Sequence, residues 1–441
     1  MSSKEVIVVD GGGRGAAVAH ALSKSIHLRG GEIHAVPGND GMSLNTGDIP
    51  VVTHQDLKTT SVRQIVALAD ELRPAFVSID QDNAVAEGLT NELIKSGHKV
   101  AGPTKEAGEV EWSKVWAREF GEKTGLTQPT FRVCNSAEEG IEYIGSNPEQ
   151  GYAVKADGLA EGKGVIIAKN RQEAIDAVVA VTKKHGDVFL LEELLVGEEF
   201  SSFAVSDGET FQIIGRAQDH KRVGNFDLGK NTGGMGCSTP PLVLTPELTA
   251  QIQKDIFEKT FNALRDSGKP YKGILYLGGM IVNRNGKDSP FVIEFNARWG
   301  DPEVECILPG LMTDYYELCM AVAEGKLSDM KVEHDGKSRV VVTGASRGYP
   351  DNYDAVKGKR ISGLSMGLDG ITVYTAGVKK DTQGFVANGG RLLYVVGEGK
   401  DVIEARQRAY GAMAVISVEG NNLHYRTDIG WRDVERLSKG S

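Results

Sequence analysis

The segment FVIEFNARWGDPE, residues 291–303, places polar side chains at the end of an apolar strand. Three apolar residues lead into five polar ones within ten positions: Glu294, Asn296, Arg298, Asp301 and Glu303. Residues i and i+2 of a strand leave it on one face, so Glu294 and Asn296 present oxygen atoms side by side and Arg298 continues that face. Such oxygens suit a hard divalent cation, and a guanidinium suits phosphoryl charge. An exposed polar strand end is the alternative, but it does not explain the shared face.

A second candidate site is the glycine-rich hairpin VKADGLAEGKGV, residues 154–165. Lys155 lies on its first strand, and Lys163 lies in the loop between Gly162 and Gly164. Two ammonium groups beside a glycine-rich turn can neutralise a polyphosphate while backbone N–H groups cradle it. The spacing is not that of a Walker loop. For each lysine taken alone, a solvated surface charge is the alternative.

The segment FLLEELLVGEEF, residues 189–200, leaves a strand near Glu192 and turns through Gly197. Its backbone can therefore face a flat heterocycle, and Glu199, just past the turn, can accept hydrogen bonds from ribose hydroxyls. A solvated acidic turn is the alternative for Glu199.

The segment QDHKRVGNFDLGKNTGGMG, residues 218–236, holds few apolar residues and is dense in charge and glycine. Burying such a loop would leave backbone groups unpaired, so we expect it to line an open site. Asp219 and Lys221 could meet a charged substrate there, together with their neighbours His220 and Arg222. A mobile surface loop is the alternative.

The N-terminal segment VVDGGGRGAAVAH follows a strand and opens a helix, as a dinucleotide fingerprint does. The spacing from Gly11 through Gly13 to Ala16 fits loosely, but the second strand ends at Asn39, where the fingerprint needs an acid. A tight turn that packs helix on sheet is as consistent as a ligand site. If a ligand binds, it is an anion at the helix N-terminus, helped by Arg14.

Alternating strand and helix patterns over the first hundred residues predict a parallel, doubly wound α/β sheet. The patterns include single helices over 85–97 and 110–125. Hairpins and glycine loops then predict an α+β part, followed by a small α+β domain. We predict three domains: residues 1–103, 104–328 and 329–441.

The 441 residues carry a formal net charge of -10, which argues against general affinity for nucleic acid or anionic membranes. No apolar run is long enough to span a bilayer, and the N-terminus lacks a signal-peptide core. The four cysteines show no paired spacing. They are expected to be reduced thiols of a cytoplasmic protein, not a disulfide or zinc framework.

The order of these segments resembles the ATP-grasp fold. More closely, seven segments resemble the phosphoribosylamine–glycine ligase family: GPTK, KADGLAEGKGV, QDHKR, NTGGMG, VIEFNARWGDPE, NGGR and YRTDIGW. The resemblance spans nearly the whole chain and implies an N-terminal α/β domain, a central ATP-grasp unit and a small C-terminal domain.

The resemblance also implies a reaction. ATP and glycine give glycyl phosphate and ADP, and the amine of 5-phosphoribosylamine then displaces phosphate to give glycinamide ribonucleotide. Catalysis would rest on positioning and charge stabilisation, with Mg²⁺ or Mn²⁺ as cofactor and ATP as co-substrate. The expected partners are these small molecules, with no nucleic acid and no membrane. A monomer or weak homodimer is expected.

The resemblance assigns roles to particular residues of this chain. It implies metal ligands at Glu294 and Asn296 and catalytic groups at Arg298, Asp219, Lys221 and Asp301. It implies ATP contacts at Lys114, Lys155, Gly162, Lys163, Gly164, Glu192, Leu195 and Glu199. It implies substrate contacts at Gly13, Arg14, Asn39, Asn231, Gly233, Gly234, Met235 and Arg391. On the strand before Glu294 it places Gly278, which leaves a metal site poor in carboxylates.

The chain departs from the family pattern mainly on its N-terminal side. The usual GGREHA is replaced by Gly12–Ala17, and the usual GPE by Asp80-Gln81-Asp82. Trp112, Lys230 and Trp299 also replace usual residues. Two alternatives therefore stay open: an ATP-grasp ligase that joins a small carboxylate to a different amine, and a non-catalytic nucleotide-binding subunit. The retained Glu294 and Lys155 count against the second alternative.

Overall fold

The computed structural model of the protein describes residues 3–147, 151–159, 164–365 and 367–439. Its N-terminal part consists of β1 (Glu5–Val9), α1 (Gly13–Ser23), β2 (Glu32–Ala35), β3 (Val51–Thr53), α2 (Val62–Leu72), β4 (Phe76–Ile79), α3 (Asp82–Ala86), α4 (Leu89–Lys95) and β5 (Val100–Ala101). The strands form a parallel sheet in the order β3-β2-β1-β4-β5. Alternate residues of β1 supply two cores on opposite faces, Val6 and Val8 in one and Ile7 and Val9 in the other. The predicted doubly wound sheet is confirmed.

Two of the predicted helices are interrupted, so those predictions were wrong in detail. The helix predicted over 85–97 is the pair α3 and α4, because Gly88 between them has a φ of 78°. The helix predicted over 110–125 breaks at Ser113, whose hydroxyl accepts a hydrogen bond from Trp116 N and caps a new helix. Each break depends on one residue, Gly88 or Ser113, and the periodicity of apolar residues does not indicate such breaks.

The central part follows in chain order. Its elements are α5 (Glu109–Trp112), α6 (Lys114–Lys123), β6 (Phe131–Cys134), α7 (Ala137–Ser146), β7 (Tyr152–Ala156), β8 (Val165–Ala168), α8 (Arg171–His185), β9 (Phe189–Glu193), β10 (Glu198–Asp207), β11 (Phe211–Asp219), β12 (Arg222–Gly224), β13 (Leu228–Asn231), β14 (Gly236–Thr239), α9 (Pro246–Gln251), α10 (Lys259–Asp266), β15 (Lys272–Arg284), β16 (Lys287–Asn296), α11 (Glu303–Ile307) and α12 (Tyr315–Glu324). A π-helical stretch, Ile252–Glu258, joins α9 to α10.

These elements form two lobes. The smaller lobe is an antiparallel sheet in the order β6-β9-β7-β8, covered by α7 and α8. The larger lobe is an antiparallel run in the order β16-β15-β10-β11-β14. Asn285 and Gly286, both with positive φ, make the tight turn that joins β15 to β16. That turn sets the register which places Glu294 and Asn296, at the end of β16, opposite Gly278 and Tyr276 of β15.

The C-terminal part consists of β17 (Ser338–Ser346), β18 (Arg360–Ser362), β19 (Ile371–Thr375), β20 (Val378–Asp381), β21 (Gly384–Ala387), β22 (Arg391–Gly399), α13 (Val402–Met413), β23 (Ser417–Val418), β24 (Leu423–His424) and α14 (Trp431–Lys439). β17 pairs with β14, so the sheet of the larger lobe continues through β17, β22 and β19. A second sheet has the order β20-β21-β18-β23. Of the helices in the described ranges, none is both long and apolar enough to cross a membrane.

A buried arginine fastens the hairpin β12–β13 to the chain's C-terminal segment. Arg426 is fully buried and donates to both oxygens of Asp428 at 2.8 and 2.7 Å. Its Nη1 reaches Asp227 Oδ1 at 2.9 Å and the carbonyl of Arg222 at 3.1 Å. Asp428 in turn accepts from Phe226 N at 2.6 Å. The hairpin's position therefore depends on residues about two hundred positions away along the chain.

We predict that Arg426→Ala lowers the free energy of unfolding by about 3–5 kcal/mol, because it leaves the buried carboxylate of Asp428 without its cation. The partly exposed Asp227 keeps its ion pair with Arg432.

Arg360 is the matched control, because it makes the same kind of two-point contact at the surface. Its Nη1 and Nη2 donate to the two carboxylate oxygens of Asp381 at 2.8 and 2.9 Å. Arg360→Ala should lower the melting temperature only slightly, because exposed ion pairs contribute little to stability. Thermal melting of both variants checks this, and equal losses would contradict the assignment of the buried network.

Candidate active site

The end of β16 brings Glu294, Asn296 and Arg298 close together. Gly278 of β15 lies opposite Glu294, and the register shifts by one residue just beyond that pair. Asn296 is nearly buried, whereas about a third of the Glu294 side chain is exposed. Arg298 lies two residues past the end of the strand, and its Nη2 donates to Asn296 Oδ1 at 3.1 Å. The structure therefore places Arg298 against Asn296.

The Arg298 guanidinium is fixed by a residue that the sequence did not indicate. Glu111 of α5 lies 2.9 Å from Arg298 Nη2 through Oε1, and its Oε2 accepts from Ala297 N at 2.7 Å. Arg298 Nη1 donates to the carbonyl of Trp299 at 3.0 Å. With these partners the guanidinium has one orientation toward the strand end.

Positive side chains surround Glu294. Lys221 Nζ lies 3.9 Å from Glu294 Oε1 and 3.2 Å from Glu199 Oε2. Burial acts to raise the pKa of Glu294, but the charges of Lys221, Lys155, Lys114 and Arg298 outweigh it and bring that pKa below its usual value. Glu294 is therefore an ionised carboxylate at the edge of a cleft.

Lys155 and Glu192 form a buried ion pair beneath this cleft. Lys155 Nζ lies 2.8 Å from Glu192 Oε2 and donates to the carbonyl of Ile293 at 3.1 Å. Arg118 donates to both oxygens of the same carboxylate, from Nε to Oε1 at 2.7 Å and from Nη2 to Oε2 at 2.9 Å. Although burial acts to raise it, the two cations lower the pKa of Glu192 to about 2. The Glu192 side chain thus holds Lys155, and its contact with a nucleotide stays a prediction.

The other residues predicted to contact ATP lie on both lobes. Lys114 Nζ donates to the carbonyl of Gly158 at 2.7 Å, and Val115 N donates to Asp157 Oδ1 at 3.1 Å, so α6 is tied to the hairpin β7–β8. The carbonyl of Gly164 accepts from Ala156 N at 2.8 Å within that hairpin. Gly162 and Lys163 lie outside the described residues. Leu195 packs against Val282 and Phe291.

Asp219 ends β11 next to a second carboxylate. Its Oδ1 is buried and has no hydrogen-bond partner among the described residues. Burial and then Glu303 raise the pKa of Asp219 well above its usual value. Glu303, the first residue of α11, accepts from Ser201 Oγ at 2.8 Å, and Ser201 in turn lies 3.0 Å from the hydroxyl of Tyr276. The charges of Lys221 and Arg391 oppose the rise in the pKa of Asp219 only in part.

The glycines after Asn231 are needed for close packing beside these acids. At Gly234, with a φ of 116°, a Cβ atom would lie 2.3 Å from Pro302 Cδ and 3.0 Å from Asp219 Oδ1. Met235 is fully buried, whereas Asn231 is exposed. The loop thus lies against the segment that follows Arg298, and its contacts with a substrate stay a prediction.

Arg391 brings together three predicted residues from separate parts of the chain. Its Nη1 donates to the carbonyls of Gly233 at 2.6 Å and Asp301 at 2.9 Å, and it lies 3.0 Å from Asp301 Oδ1. This contact joins β22 of the C-terminal part to the glycine loop and to the turn after β16.

The N-terminal glycine loop packs against the same turn. Arg14 is buried, its Nε donates to Asp10 Oδ2 at 2.8 Å, and its Nη1 donates to the carbonyl of Trp299 at 2.9 Å. A Cβ at Gly13 would lie 2.1 Å from a ring carbon of Tyr394. The Asn39 amide nitrogen donates to the carbonyls of Gly11 and Thr375, each at 3.2 Å. These contacts fit the packing interpretation, and substrate binding by Gly13, Arg14 and Asn39 stays a prediction.

Glu305 is a buried acid that the sequence did not indicate. It is fully buried, and within the part of the chain that the structure describes neither carboxyl oxygen has a hydrogen-bond partner. Burial, then the charge of Asp301, raises the pKa of Glu305 well above its usual value, and Arg391 and Arg14 oppose this only in part. The sequence singled out Glu303, two residues earlier on α11. Because residues i and i+2 of a helix do not share a face, Glu303 did not indicate where the Glu305 side chain lies.

Two α+β lobes with lysines from both and a carboxylate at the end of the last strand define an ATP-grasp domain. Family models for the phosphoribosylglycinamide synthetase N domain, ATP-grasp (A) domain and C domain match residues 4–111, 112–304 and 339–432. The chain therefore belongs to the phosphoribosylglycinamide synthetase family.

Individual relatives agree with the family match. The chain is 33% identical to a phosphoribosylamine–glycine ligase of Chlorobaculum tepidum, over 97% of this chain and 99% of that protein. It is 36% identical to the trifunctional purine biosynthetic protein adenosine-3 of Gallus gallus, over 98% of this chain but 43% of that longer protein. The crystal structure of phosphoribosylamine–glycine ligase from Thermotoga maritima aligns with a TM-score of 0.79 at 32% identity, covering 97% of this chain and all of that one.

We predict that Glu305→Gln raises the melting temperature increasingly as the pH rises above about 4.5, the ordinary glutamate value. The folded state raises the pKa of Glu305, so folding favours its protonated form and the wild-type protein loses stability as pH increases toward the folded value. Glutamine removes that loss. Melting curves from pH 4.5 upward check this.

The matched control is Glu142→Gln, at an exposed position on α7. That change should shift the melting temperature by the same small amount at every pH. A Glu305→Gln shift that is independent of pH would show that Glu305 is ionised in the folded protein.

Proposed function

We propose that the protein ligates glycine to 5-phosphoribosylamine at the expense of ATP, giving glycinamide ribonucleotide, ADP and phosphate. The observation that carries the proposal is the cleft at the end of β16. There, Glu294 is held ionised by Lys221, Lys155, Lys114 and Arg298. Relatives named phosphoribosylamine–glycine ligase over the full chain length support the choice of substrates.

In the proposed nucleotide site, the cations of both lobes neutralise the phosphates of ATP. Lys155 is held by Glu192 and by the Ile293 carbonyl, so its ammonium is in place before the ligand arrives. Lys114 comes from the helix that is tied to the hairpin β7–β8. Glu199 is assigned to ribose and the backbone near Leu195 to adenine.

A Mg²⁺ ion fits the oxygen atoms at the end of β16, and Mn²⁺ has similar preferences. Glu294 supplies an ionised carboxylate, and Asn296 Oδ1, which accepts one hydrogen bond from Arg298, retains a second lone pair. When bound, the ion would neutralise phosphate charge. Arg298, fixed by Glu111, is positioned to stabilise the phosphoryl group as it moves to the glycine carboxylate.

The acids Asp219 and Glu303 are assigned to the ammonium group of glycine. Burial, and then the charge of Glu303, raises the pKa of Asp219, and Lys221 opposes this only in part. An ammonium group bound here would add a positive charge and favour the ionised form of Asp219. Binding by these acids would leave the glycine carboxylate directed toward Lys221 and the phosphates.

In the second step, the amine of phosphoribosylamine attacks the acyl carbon of glycyl phosphate and phosphate leaves. Asp301 is assigned to this amine, because Arg391 holds it through its carbonyl and its carboxylate at the meeting point of the three parts of the chain. The glycine loop lies against the same junction, where the carbonyl of Gly233 also accepts a hydrogen bond from Arg391. Positioning two reactants in this way supplies much of the catalysis.

The reaction is tested by phosphate release from ATP with Mg²⁺, measured with glycine and with or without freshly formed phosphoribosylamine. The proposal predicts that release requires both substrates. Release that needs glycine but not phosphoribosylamine would retain the ATP-grasp chemistry and assign a different amine. ATP binding without release on any amine would identify a non-catalytic nucleotide-binding protein.

We predict that Glu294→Gln lowers kcat by about 100-fold or more without altering the melting curve, because it removes the charged ligand of the proposed metal. Asp288→Asn is the matched control on the same strand, where Asp288 is exposed and its carboxylate accepts a hydrogen bond from the Asn283 amide at 2.7 Å. It should leave kcat unchanged. Near-normal turnover in folded Glu294→Gln would remove Glu294 from the metal site.

A further inference from the structure

Two buried cysteines lie in direct contact behind the proposed glycine site. Cys237 is on β14 and Cys306 is on α11, and both are fully buried. Their Sγ atoms are 2.9 Å apart, and both are free thiols in this structure. Of the other two cysteines, Cys319 belongs to the same large core cluster as the pair, and Cys134 belongs to a different cluster. Neither cysteine of the close pair was assigned any role by the sequence.

The pair connects the elements that carry the two acids. Cys237 lies opposite Asp219 in the pairing of β11 with β14. Cys306 is three residues after Glu303 on α11, so the two side chains lie on neighbouring positions of one helix face. A bond between the sulfurs would therefore link the strand beside Asp219 to the helix that carries Glu303.

We propose that Cys237 and Cys306 form a reversible disulfide, a modification site that links β14 to α11. The bond forms by two-electron oxidation of the two thiols, which lose two protons. With hydrogen peroxide as oxidant, the O–O bond breaks, its oxygens take up the two thiol protons, and two waters form. With oxidised glutathione, two molecules of glutathione are released through a mixed disulfide.

The geometry favours this product over other oxidised forms. A disulfide S–S bond is about 2.05 Å long, so the two sulfurs need to approach by less than about 1 Å. A sulfenic acid formed on either sulfur would meet the other thiol at once. Since both sulfurs are buried, the oxidant reaches them when the segment around α11 opens, and the reaction is slow in the closed protein.

The bridge should stabilise the protein and leave its site intact. It closes a long loop between β14 and α11, which restricts the unfolded chain and raises the melting temperature. Because the sulfurs already touch, Asp219 and Glu303 keep their places. We therefore expect unchanged ATP turnover in the oxidised protein, provided that the proposed function holds.

The test treats the whole protein with oxidised glutathione, once in the native state and once during refolding. Thiols are then counted after denaturation, and peptides are mapped without reduction. The count should fall from the four free cysteines to two, with one linked peptide pair containing Cys237 and Cys306. The melting temperature should rise by several degrees and return on treatment with dithiothreitol.

Two sets of variants control the experiment. Cys306→Ser and Cys237→Ser should each abolish the linked peptide and the rise in melting temperature, and one serves if the other fails to fold. Cys134→Ser is the matched control, since it removes a buried cysteine but leaves the pair, and it should retain both effects.

The proposal is overturned if the refolded wild-type protein keeps four thiols, or if the linked peptides contain Cys134 or Cys319. A stable glutathione adduct on either cysteine would also overturn it. The thiol count and the melting temperature do not depend on turnover, so they stand even if the assignment of the substrates fails. A bridged protein that loses turnover while the reduced protein keeps it would contradict an intact site.

Discussion

Two arginines from opposite ends of the chain fasten onto one short turn, and the candidate site depends on that junction. Arg14 of α1 donates to the carbonyl of Trp299, and Arg391 of β22 donates to the carbonyl of Asp301. The turn directly follows β16, which carries Glu294 and Asn296. Loss of this turn would remove a carbonyl partner from Arg14, which keeps its ion pair with Asp10, and would separate Arg391 from the carboxylate of Asp301. The three parts of the chain therefore fix the site jointly.

The buried acids of the site fall into two groups with different consequences. Glu192 and Glu111 are both paired with arginine, and they position Lys155 and Arg298. Two cations hold the pKa of Glu192 at about 2, whereas burial raises that of Glu111 to about 7. Asp219 and Glu305 have unpartnered oxygens within the described ranges. Burying an acid without a partner costs stability, and the cost is tolerable where a ligand later supplies the partner. We therefore expect a ligand to bind on the side of the site near Asp219.

The sequence predicted the architecture well because the strands are strongly patterned. The alternation of strands and helices predicts the parallel sheet, and the two-residue period of β16 predicts that Glu294 and Asn296 belong together. The interruptions at Gly88 and Ser113 were missed because each depends on one residue's backbone angle or cap. Motif spacing could not reveal Glu111, Glu305 or the contact of Cys237 with Cys306, since all three arise from elements far apart in the chain.

The register of β15 against β16 also determines how the proposed metal is held. Gly278 lies opposite Glu294, and a Cβ there would lie 3.1 Å from Glu294 Cγ. A larger acid at that position would therefore crowd the ligand it was meant to assist. The cations near Glu294 are already largely neutralised, since Lys221 lies beside Glu199, Lys155 beside Glu192 and Arg298 beside Glu111. With one carboxylate and one amide oxygen at the strand end, the phosphates of ATP would supply most of the negative charge that holds the ion, so the ion and the nucleotide should bind together.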